Sequence, residues 1–460
     1  MTRDMPEDDF IILNAFTMAA ASHLNYGFWR HPSDHTHRYT QLDYWTNLAR
    51  LLDEAGFDCL FIADALGPID VYGQSADASL RHGIQSPLID PMLPISAMAA
   101  VTRSLGFGVT LSTTYEHPYL AARKFTTLDH LTAGRIGWNV VTSQQESAAR
   151  NLGLDRQILH DARYDRADEF MDVVYKLWQG SWQDDAVVRD PQRGIYTDPD
   201  KVHPIGHEGG HFRVPDMHVA EPSPQRVPVL FQAGASGRGM EFAARHAEVV
   251  FIVGVDAEAT RANADRVRDL AARLGRDPAR IKFITSAAVV TGANDREAWD
   301  KFEDYKRYYD PIGSIIHYSS MTGIDFSTAQ PDQVLRYQNT EASQSSLSQF
   351  DNANSGRKWT LDEAVNPKDG FGRARTFIGG PERVADSIEA WLHASGTDGI
   401  NLIQLINPAS YTDFATFIVP ELRRRGRLRP PAYATLRETL FPHSRSARPD
   451  PTHPSARYAV

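Results

Sequence analysis

The sequence contains a single cysteine, Cys59, among its 460 residues. One cysteine cannot form a disulfide within the chain, and it cannot supply a cluster of thiolate ligands to a metal ion. A free cysteine is most often a small buried residue. We therefore expect Cys59 to belong to the hydrophobic core.

Excess positive charge and long apolar runs are also lacking. The 48 Lys and Arg residues are outnumbered by 58 Asp and Glu residues, so the net charge is −10, which disfavours binding to nucleic acid or to an anionic membrane. The apolar run at residues 10–21 is interrupted by Asn14 and Thr17 and follows acidic residues, unlike a secretory signal. No other run approaches the roughly 18 residues of a membrane span. These absences predict a cytoplasmic protein.

Short apolar runs instead alternate with amphipathic segments along the chain. Eight runs are nearly continuous in apolar residues, as strands covered on both faces must be; they are 10–15, 59–63, 105–111, 136–141, 229–232, 249–253, 281–290 and 400–405. Helical patterns occupy 41–55, 92–102, 119–131, 163–178, 237–246, 257–274, 295–309, 382–395 and 411–425. Eight strand–helix units predict an α/β fold, a (β/α)₈ TIM barrel. A doubly wound sheet usually has a glycine-rich turn after its first strand, and this chain has none there.

Three segments are too long to be plain connections between barrel elements. They are residues 64–90 after strand 2, residues 180–225 before strand 5, and residues 310–375 between strands 7 and 8. We expect one barrel domain over residues 1–442 and a tail over residues 443–460. The tail is either a mobile terminus or an arm that packs on a neighbouring subunit.

One motif matches a metal-binding pattern, but the residues in and around it do not support a metal site. Residues 207–211 read HEGGH, which matches the zinc-protease pattern H-E-x-x-H. That pattern works only on a helix, and the two central glycines, with Pro204 and Gly206 before them, disfavour a helix. We predict a loop or hairpin here and no metal.

Polar residues at strand and helix ends indicate a phosphate site. Ser236 and Gly237 begin a predicted helix, where backbone N–H groups and the helix dipole suit a phosphate. His160 and Tyr164 are four residues apart and face the same way on a helix, so both could bond one phosphate. The alternatives are a simple helix cap at Ser236 and a solvated surface pair at His160 and Tyr164.

Two further polar residues interrupt apolar strands. Asp64 follows the strand CLFIA, and Asn139 lies inside the strand IGWNVV. A carboxylate or amide at such a place must find a partner. Asp64 could belong to a buried ion pair and Asn139 could be a satisfied core amide. Alternatively, both face a heteroaromatic ring, which together with the phosphate site suits flavin mononucleotide (FMN).

Several segments resemble those of a known superfamily. They are NAFTM, SHLNYGFWRHP, FDCLFIAD, STTYEHPY, GRIGWNVVTS, HDARYDRADEF, PSPQRVPVLFQAG and DFATFIVPELRRRG, and they extend from about residue 10 to residue 430. The chain resembles the bacterial-luciferase-like, FMN-dependent two-component monooxygenases. Within them it is similar to the group of nitrilotriacetate, dibenzothiophene-sulfone, dimethylsulfide and long-chain alkane monooxygenases.

The resemblance implies a TIM barrel that binds reduced FMN (FMNH₂), which a separate NAD(P)H:flavin reductase supplies. It implies reaction with O₂ through a C4a-(hydro)peroxyflavin in a dry pocket, and a homo-oligomeric enzyme. It places flavin contacts on Asp64, Thr110, Asn139, His160, Tyr164 and Ser236. It also places His23 and His317 on the substrate side as candidate catalytic residues, where a histidine of near-neutral pKa could protonate or hydrogen-bond the peroxide. Residues 64–90 and 310–375 are candidate lids.

The chain departs from the alkane branch at three positions in the strand-end loops. It has Ala20 where that branch has cysteine, Ile69 where it has tyrosine, and Gln144 where it has histidine. We therefore expect a small, largely apolar substrate such as an organosulfur compound or an alkane. An amine or aminopolycarboxylate monooxygenase, a non-catalytic flavin-binding relative and a deazaflavin-dependent oxidoreductase remain alternatives.

Overall fold

A closed parallel barrel forms the centre of the protein, as the sequence predicts. The structure is a computed structural model that describes residues 10–234, 236–252, 256–335, 342, 359–366, 368, 370–372, 374–430, 432, 434–444 and 446–460. Eight strands pair in the order β1-β2-β3-β4-β9-β10-β11-β13, and β13 pairs with β1 to close the barrel. They are β1 Ile12–Met18, β2 Cys59–Ala63, β3 Gly106–Ser112, β4 Ile136–Val141, β9 Val229–Gln232, β10 Val249–Ile252, β11 Lys282–Thr291 and β13 Gly399–Ile403.

Each barrel strand buries both of its faces because side chains alternate between the interior and the surrounding helices. On β1, for example, Ile12 and Phe16 pack in the interior with Cys59, while Leu13 and Ala15 pack under the helices. Cys59 is buried and free, as predicted. This double burial explains why the eight strands are continuous apolar runs in the sequence.

Helices surround the barrel, and no helix among the described residues is long and apolar enough to cross a membrane. Those of eight residues or more are α1 Leu42–Ala55, α4 Pro118–Leu131, α6 His160–Tyr175, α7 Gly237–His246, α8 Ala257–Arg273, α9 Asp295–Lys306, α10 Pro311–Thr322 and α12 Pro381–Ser395. The shorter ones are α2 Asp77–His82, α3 Ile95–Ala100, α5 Glu146–Asn151, α11 Leu361–Val365, α13 Ala409–Asp413, α14 Val419–Arg424 and α15 Leu436–Leu440. Turns of π-helix at Lys176–Gly180 and Phe414–Ile418 extend α6 and join α13 to α14.

The amino-terminal end of the barrel is closed by α15, which the sequence did not predict. Leu436 and Leu440 pack into the barrel interior. A Cβ on Gly137 of β4 would lie 2.5 Å from the Phe231 ring and 3.1 Å from Leu436, so only glycine fits there. Arg437 beside them forms a two-point ion pair with Glu248, at 2.7 and 2.8 Å. Helix α15 is therefore a plug at this end of the barrel, held by both apolar packing and a buried charge pair.

The segment before β9 forms two short hairpins. They pair β5 Val187–Asp190 with β6 Ile195–Thr197, and β7 His207–Glu208 with β8 Arg213–Val214. The HEGGH string lies in the second hairpin, as predicted, and His207 binds Glu169 of α6 at 3.1 Å. This string begins in a strand and continues into the turn of the hairpin, so its histidines do not lie on one helical face.

The other two long segments add structure that the sequence analysis missed. The first contains α2, and the second contains α10 and α11 and leads into the extra strand β12 Arg375–Gly379, which pairs with the end of β11. The two segments are joined: His82 binds Asp310 at 2.6 Å, and the backbone of Gly73 donates to Asp325 at 2.9 Å. Part of the predicted insertion 310–375 lies outside the described residues.

The carboxy-terminal segment packs on its own chain. His453 is buried and its Nε2 donates to the backbone oxygen of His246 at 3.0 Å, while its ring contacts Tyr175. Arg457 pairs with Asp172 of α6 at 2.5 Å. These contacts anchor the segment on α6 and α7 of its own chain, and its packing on a neighbouring subunit stays a prediction.

Candidate functional site

A cavity of about 330 Å³ opens where the barrel strands end. Met18, Asp64, Thr142, Gly234 and Leu405, which end or follow five different strands, all line it. Six of the sequence-predicted site residues lie in its wall, namely His23, Asp64, His160, Tyr164, Ser236 and His317. The other three adjoin it: Asn139 directly precedes the lining residue Val140, Thr110 bonds Asn139, and Gly237 follows Ser236. The sequence prediction thus converges on one place in the fold.

One side of the cavity is a cradle of hydroxyl groups at the start of α7. Ser236 is the N-cap, and its Oγ accepts a hydrogen bond from the backbone of Gly239 at 3.0 Å. A Cβ on Gly239 would lie 2.8 Å from Tyr164 Oη and 2.9 Å from Ser236 Oγ, so the tyrosine of α6 and the serine of α7 converge. A Cβ on Gly237 would meet nothing within 4 Å. The first turn of a helix offers N–H groups there, which is a geometry for an anion.

His160 lies beside this cradle at the start of α6. Its ring packs edge-on against Tyr164 with centroids 5.2 Å apart, and its Nδ1 is 2.7 Å from Asp161. Both rings are largely buried, so the pair is not a solvated surface pair. Burial raises the pKa of Tyr164, against the lowering effect of its hydrogen bond with Ser236, so the phenol stays protonated and can donate.

A second part of the site is an amide on β4. Asn139 is buried, and its Nδ2 donates to Thr110 Oγ1 at 2.8 Å, while Thr110 donates to the backbone oxygen of Ile62 at 3.0 Å. The amide oxygen Oδ1 of Asn139 has no hydrogen-bond partner among the described residues. An unsatisfied buried acceptor costs about 1–3 kcal/mol, so a ligand N–H is the natural partner.

Asp64 follows β2 at the cavity wall without a cationic partner among the described residues. Burial raises the pKa of its carboxyl from the ordinary value of 3.8 to about 7, with a smaller contribution from the charge of Asp90. The buried ion pair considered from the sequence is therefore not what holds this side chain. Asp64 changes charge close to neutral pH.

His23 follows β1 and packs edge-on against Phe16, with ring centroids 4.5 Å apart. Burial lowers the pKa of His23 to about 3, so the expectation of a near-neutral pKa is wrong for this residue. Its Nδ1 has no hydrogen-bond partner among the described residues. The ring is neutral at pH 7 and can accept or donate a hydrogen bond, but it does not store a proton.

His317 projects into the cavity from α10 and contacts two residues that the sequence analysis missed. Its Nδ1 is 2.6 Å from Tyr26 Oη, and its Nε2 is 3.2 Å from Gln85 Nε2. Because the Gln85 amide donates to Nε2, the ring proton is assigned to Nδ1, where Tyr26 Oη accepts it. Tyr26 stands inside the quoted segment SHLNYGFWRHP, but no sequence pattern pointed to Gln85.

The remaining lining is mostly apolar or uncharged. Among the described lining residues, the side chains other than histidine that carry or can gain charge near neutral pH are Asp64 and Arg163. Arg163 is fully buried, and its Nη1 donates to the backbone oxygen of Ser143. Arg163 was also missed, although it lies between His160 and Tyr164 in the quoted segment HDARYDRADEF.

A closed parallel barrel with a cavity at the carboxyl ends of its strands, lined in part by polar side chains, is the architecture of a TIM-barrel enzyme. Comparison with known proteins identifies the family of enzymes to which this barrel belongs. The sequence model of the family described as "Luciferase-like monooxygenase" matches residues 26–399, and the chain belongs to this family. It is therefore an oxidoreductase of the monooxygenase type, and the family implies a flavin cofactor.

Two curated relatives match almost the whole chain. Dimethyl-sulfide monooxygenase of Hyphomicrobium sulfonivorans is 47% identical over 97% of this chain and 93% of that protein. Long-chain alkane monooxygenase of Geobacillus thermodenitrificans is 44% identical over 97% of this chain and 98% of that protein. Both are similar to this chain across the barrel and the insertions.

Two solved structures are also similar to this chain over nearly its whole length. The crystal structure of DmoA from Hyphomicrobium sulfonivorans superimposes with a TM-score of 0.89, covering 98% of this chain and 96% of that chain at 47% identity. The crystal structure of riboflavin lyase (RcaE) with modified FMN and substrate riboflavin gives a TM-score of 0.91 at 36% identity, covering 98% of this chain and all of that chain. The barrel of this chain is thus highly similar in structure to one that was solved with modified FMN.

Proposed function

We propose that this protein uses reduced FMN, delivered by a separate NAD(P)H:flavin reductase, and O₂ to oxygenate a small, uncharged, largely apolar substrate such as an organosulfur compound or an alkane. We further propose that it acts as a homo-oligomer. The observation that carries the proposal is a single cavity that joins an anion cradle to an apolar wall, beside the unsatisfied amide oxygen of Asn139.

The residues present fit a flavin. The hydroxyls of Ser236 and Tyr164, with the first turn of α7 and His160, would hold the phosphate. The unpaired Oδ1 of Asn139 would accept a hydrogen bond from a ring N–H of the flavin. Thr110 would hold the amide in place by accepting a hydrogen bond from its Nδ2. Bound reduced FMN would supply the activation of O₂.

The side chains around the cavity would then exclude water and orient the substrate. Phe16, Leu24, Phe251 and Phe371 make part of the wall apolar, which protects a water-sensitive reaction. The His23 ring is neutral, so it would hydrogen-bond a reacting oxygen rather than carry charge to it. His317, fixed by Tyr26 and Gln85, would form a rigid polar point on the substrate side.

The lining also favours an uncharged substrate over an aminopolycarboxylate. A buried carboxylate needs a cation or several donors to offset its loss of hydration. Arg163 is the one basic side chain other than histidine among the described lining residues, and it already binds a backbone oxygen. A substrate with several carboxylates would therefore leave charge unpaired.

The substrate class is tested by coupled turnover. Purified protein is supplied with FMN, NADH, a flavin reductase and O₂, and oxygenated product is measured by mass spectrometry for dimethyl sulfide, dibenzothiophene sulfone, a long-chain alkane and nitrilotriacetate. We expect product from at least one neutral substrate and none from nitrilotriacetate. Turnover of nitrilotriacetate alone would contradict the substrate class, and no product from any neutral sulfide, sulfone, alkane or amine in a wider screen would favour the non-catalytic alternative.

The phosphate cradle is tested by comparing two flavins. We expect Ser236→Ala and Tyr164→Phe each to weaken binding of reduced FMN roughly tenfold or more, because each removes a hydrogen bond to a charged group. Binding of reduced riboflavin, which has no phosphate, should stay unchanged in anaerobic equilibrium dialysis. The exposed Tyr196→Phe serves as the matched control. Equal affinities of wild type and both variants for FMN would move the phosphate site elsewhere.

A further inference from the structure

One carboxylate on α6 binds both ends of α7. Asp168 Oδ2 accepts a hydrogen bond from Arg238 Nη2 at 2.5 Å, and Asp168 Oδ1 accepts one from His246 Nε2 at 2.9 Å. Arg238 is the second residue of the ten-residue helix and His246 is its last. The Arg238 guanidinium also lies 5.8 Å from the centre of the Tyr164 ring. The group that fixes α7 therefore adjoins the cradle formed by Ser236 and Tyr164.

The hydrogen bonds around Asp168 have a defined direction. His246 is buried, which lowers the pKa of its ring, so the ring is neutral and its Nε2–H donates to Asp168. Its Nδ1 then accepts from Tyr175 Oη, 3.1 Å away. Burial by itself would raise the pKa of Asp168, but the hydrogen bonds from His246 and Arg238 and the charge of Arg238 lower it to about 2. Asp168 is thus a permanent carboxylate with both oxygens engaged.

We propose that Asp168 is a positioning residue for the flavin phosphate. By binding Arg238 and His246, it holds the first turn of α7, with Ser236, against Tyr164 of α6. The inference rests on the proposed phosphate site. A purely electrostatic effect would have the opposite sign, because a carboxylate close to a phosphate repels it. The sign of the effect on affinity therefore identifies the role.

The test compares reduced FMN and reduced riboflavin binding to Asp168→Ala under anaerobic conditions. We expect FMN affinity to fall about tenfold while riboflavin affinity is unchanged, since the ring site is not touched. Asp168→Glu should recover part of the loss because it restores the carboxylate. The matched control is Asp165→Ala, which removes another carboxylate on Arg238, 3.1 Å away but 67% exposed, and should change affinity less than about threefold.

A double variant shows whether Asp168 acts through Arg238. Arg238→Met should weaken FMN binding, and adding Asp168→Ala to it should cause little further loss, since residues that act as one unit are not additive. If Asp168→Ala does not fold, Arg238→Met and Arg238→Lys carry the test, because the Arg238 side chain is partly exposed.

Three results would overturn the inference. They are unchanged or tighter FMN binding in Asp168→Ala, equal losses for FMN and riboflavin, and additive losses in the double variant. The proposed phosphate site is judged separately. If Ser236→Ala leaves the preference for FMN over riboflavin intact, that site is wrong and this inference falls with it. If Ser236→Ala reduces the preference and Asp168→Ala does not, only the role of Asp168 is wrong.

Discussion

Replacing Asp64 by asparagine is expected to stabilise the flavin-free protein at pH 8 and to have little effect at pH 4. The folded protein raises the pKa of this carboxyl from 3.8 to about 7, mainly through burial. Between pH 3.8 and pH 7, Asp64 loses its proton in the unfolded chain but keeps it in the folded protein. The free-energy cost that Asp64 imposes on folding therefore grows as the pH rises and levels off above pH 7. At about 1.4 kcal/mol per pKa unit, the cost is at most about 4 kcal/mol.

Melting temperatures of wild type and Asp64→Asn, measured without flavin between pH 4 and pH 8, check this expectation. The gain in melting temperature should widen up to pH 7 and then stay constant. Asp300→Asn, an exposed aspartate on α9, is the matched control and should show no such trend. A gain that is equal at all pH values, or a loss at pH 8, would show that Asp64 is not a strained buried carboxyl.

The barrel could be predicted because burial on both faces leaves a clear signal in the sequence. All eight predicted strands occur in the structure, although Val253, at the end of one of them, lies outside the described residues. The strand β12 was missed because it is only half-buried and directly follows a polar insertion. Helix α10, PIGSIIHYSSMT, was missed because it is buried on most sides, so its apolar residues show no helical period.

The candidate site could be predicted where residues lie at the ends of predicted strands or at the start of a predicted helix. Asp64 and Ser236 stand at such places and Asn139 lies in the second half of its strand, so the barrel rule brought them together. Gln85 and Tyr26 could not be found this way because they act through contacts with His317, more than 200 residues away in the chain. The pKa of His23 was also beyond reach, since it depends on how completely neighbouring elements bury the ring.

Replacing Arg437 by methionine is expected to destabilise the protein by roughly 3–5 kcal/mol, the usual cost of leaving one member of a buried ion pair without its partner. Arg437 and Glu248 are 1% and 5% exposed, and Arg437 also donates to the backbone oxygens of Val227, Pro228 and Ala447. Denaturant unfolding at pH 7, followed by fluorescence and circular dichroism, measures the loss. Arg193→Met, which breaks an exposed pair with Asp190, should cost far less.

The pH dependence and a double variant identify the cause of this loss. Burial would raise the pKa of Glu248, and Arg437 holds it below its ordinary value instead. Without Arg437 the carboxyl takes up a proton more readily, so the deficit of Arg437→Met should shrink as the pH falls from 8 to 5. Adding Glu248→Met removes the unpaired charge and should recover much of the stability. A deficit that does not change with pH and that persists in the double variant would mean that the plug is held by packing of Leu436 and Leu440 rather than by charge pairing.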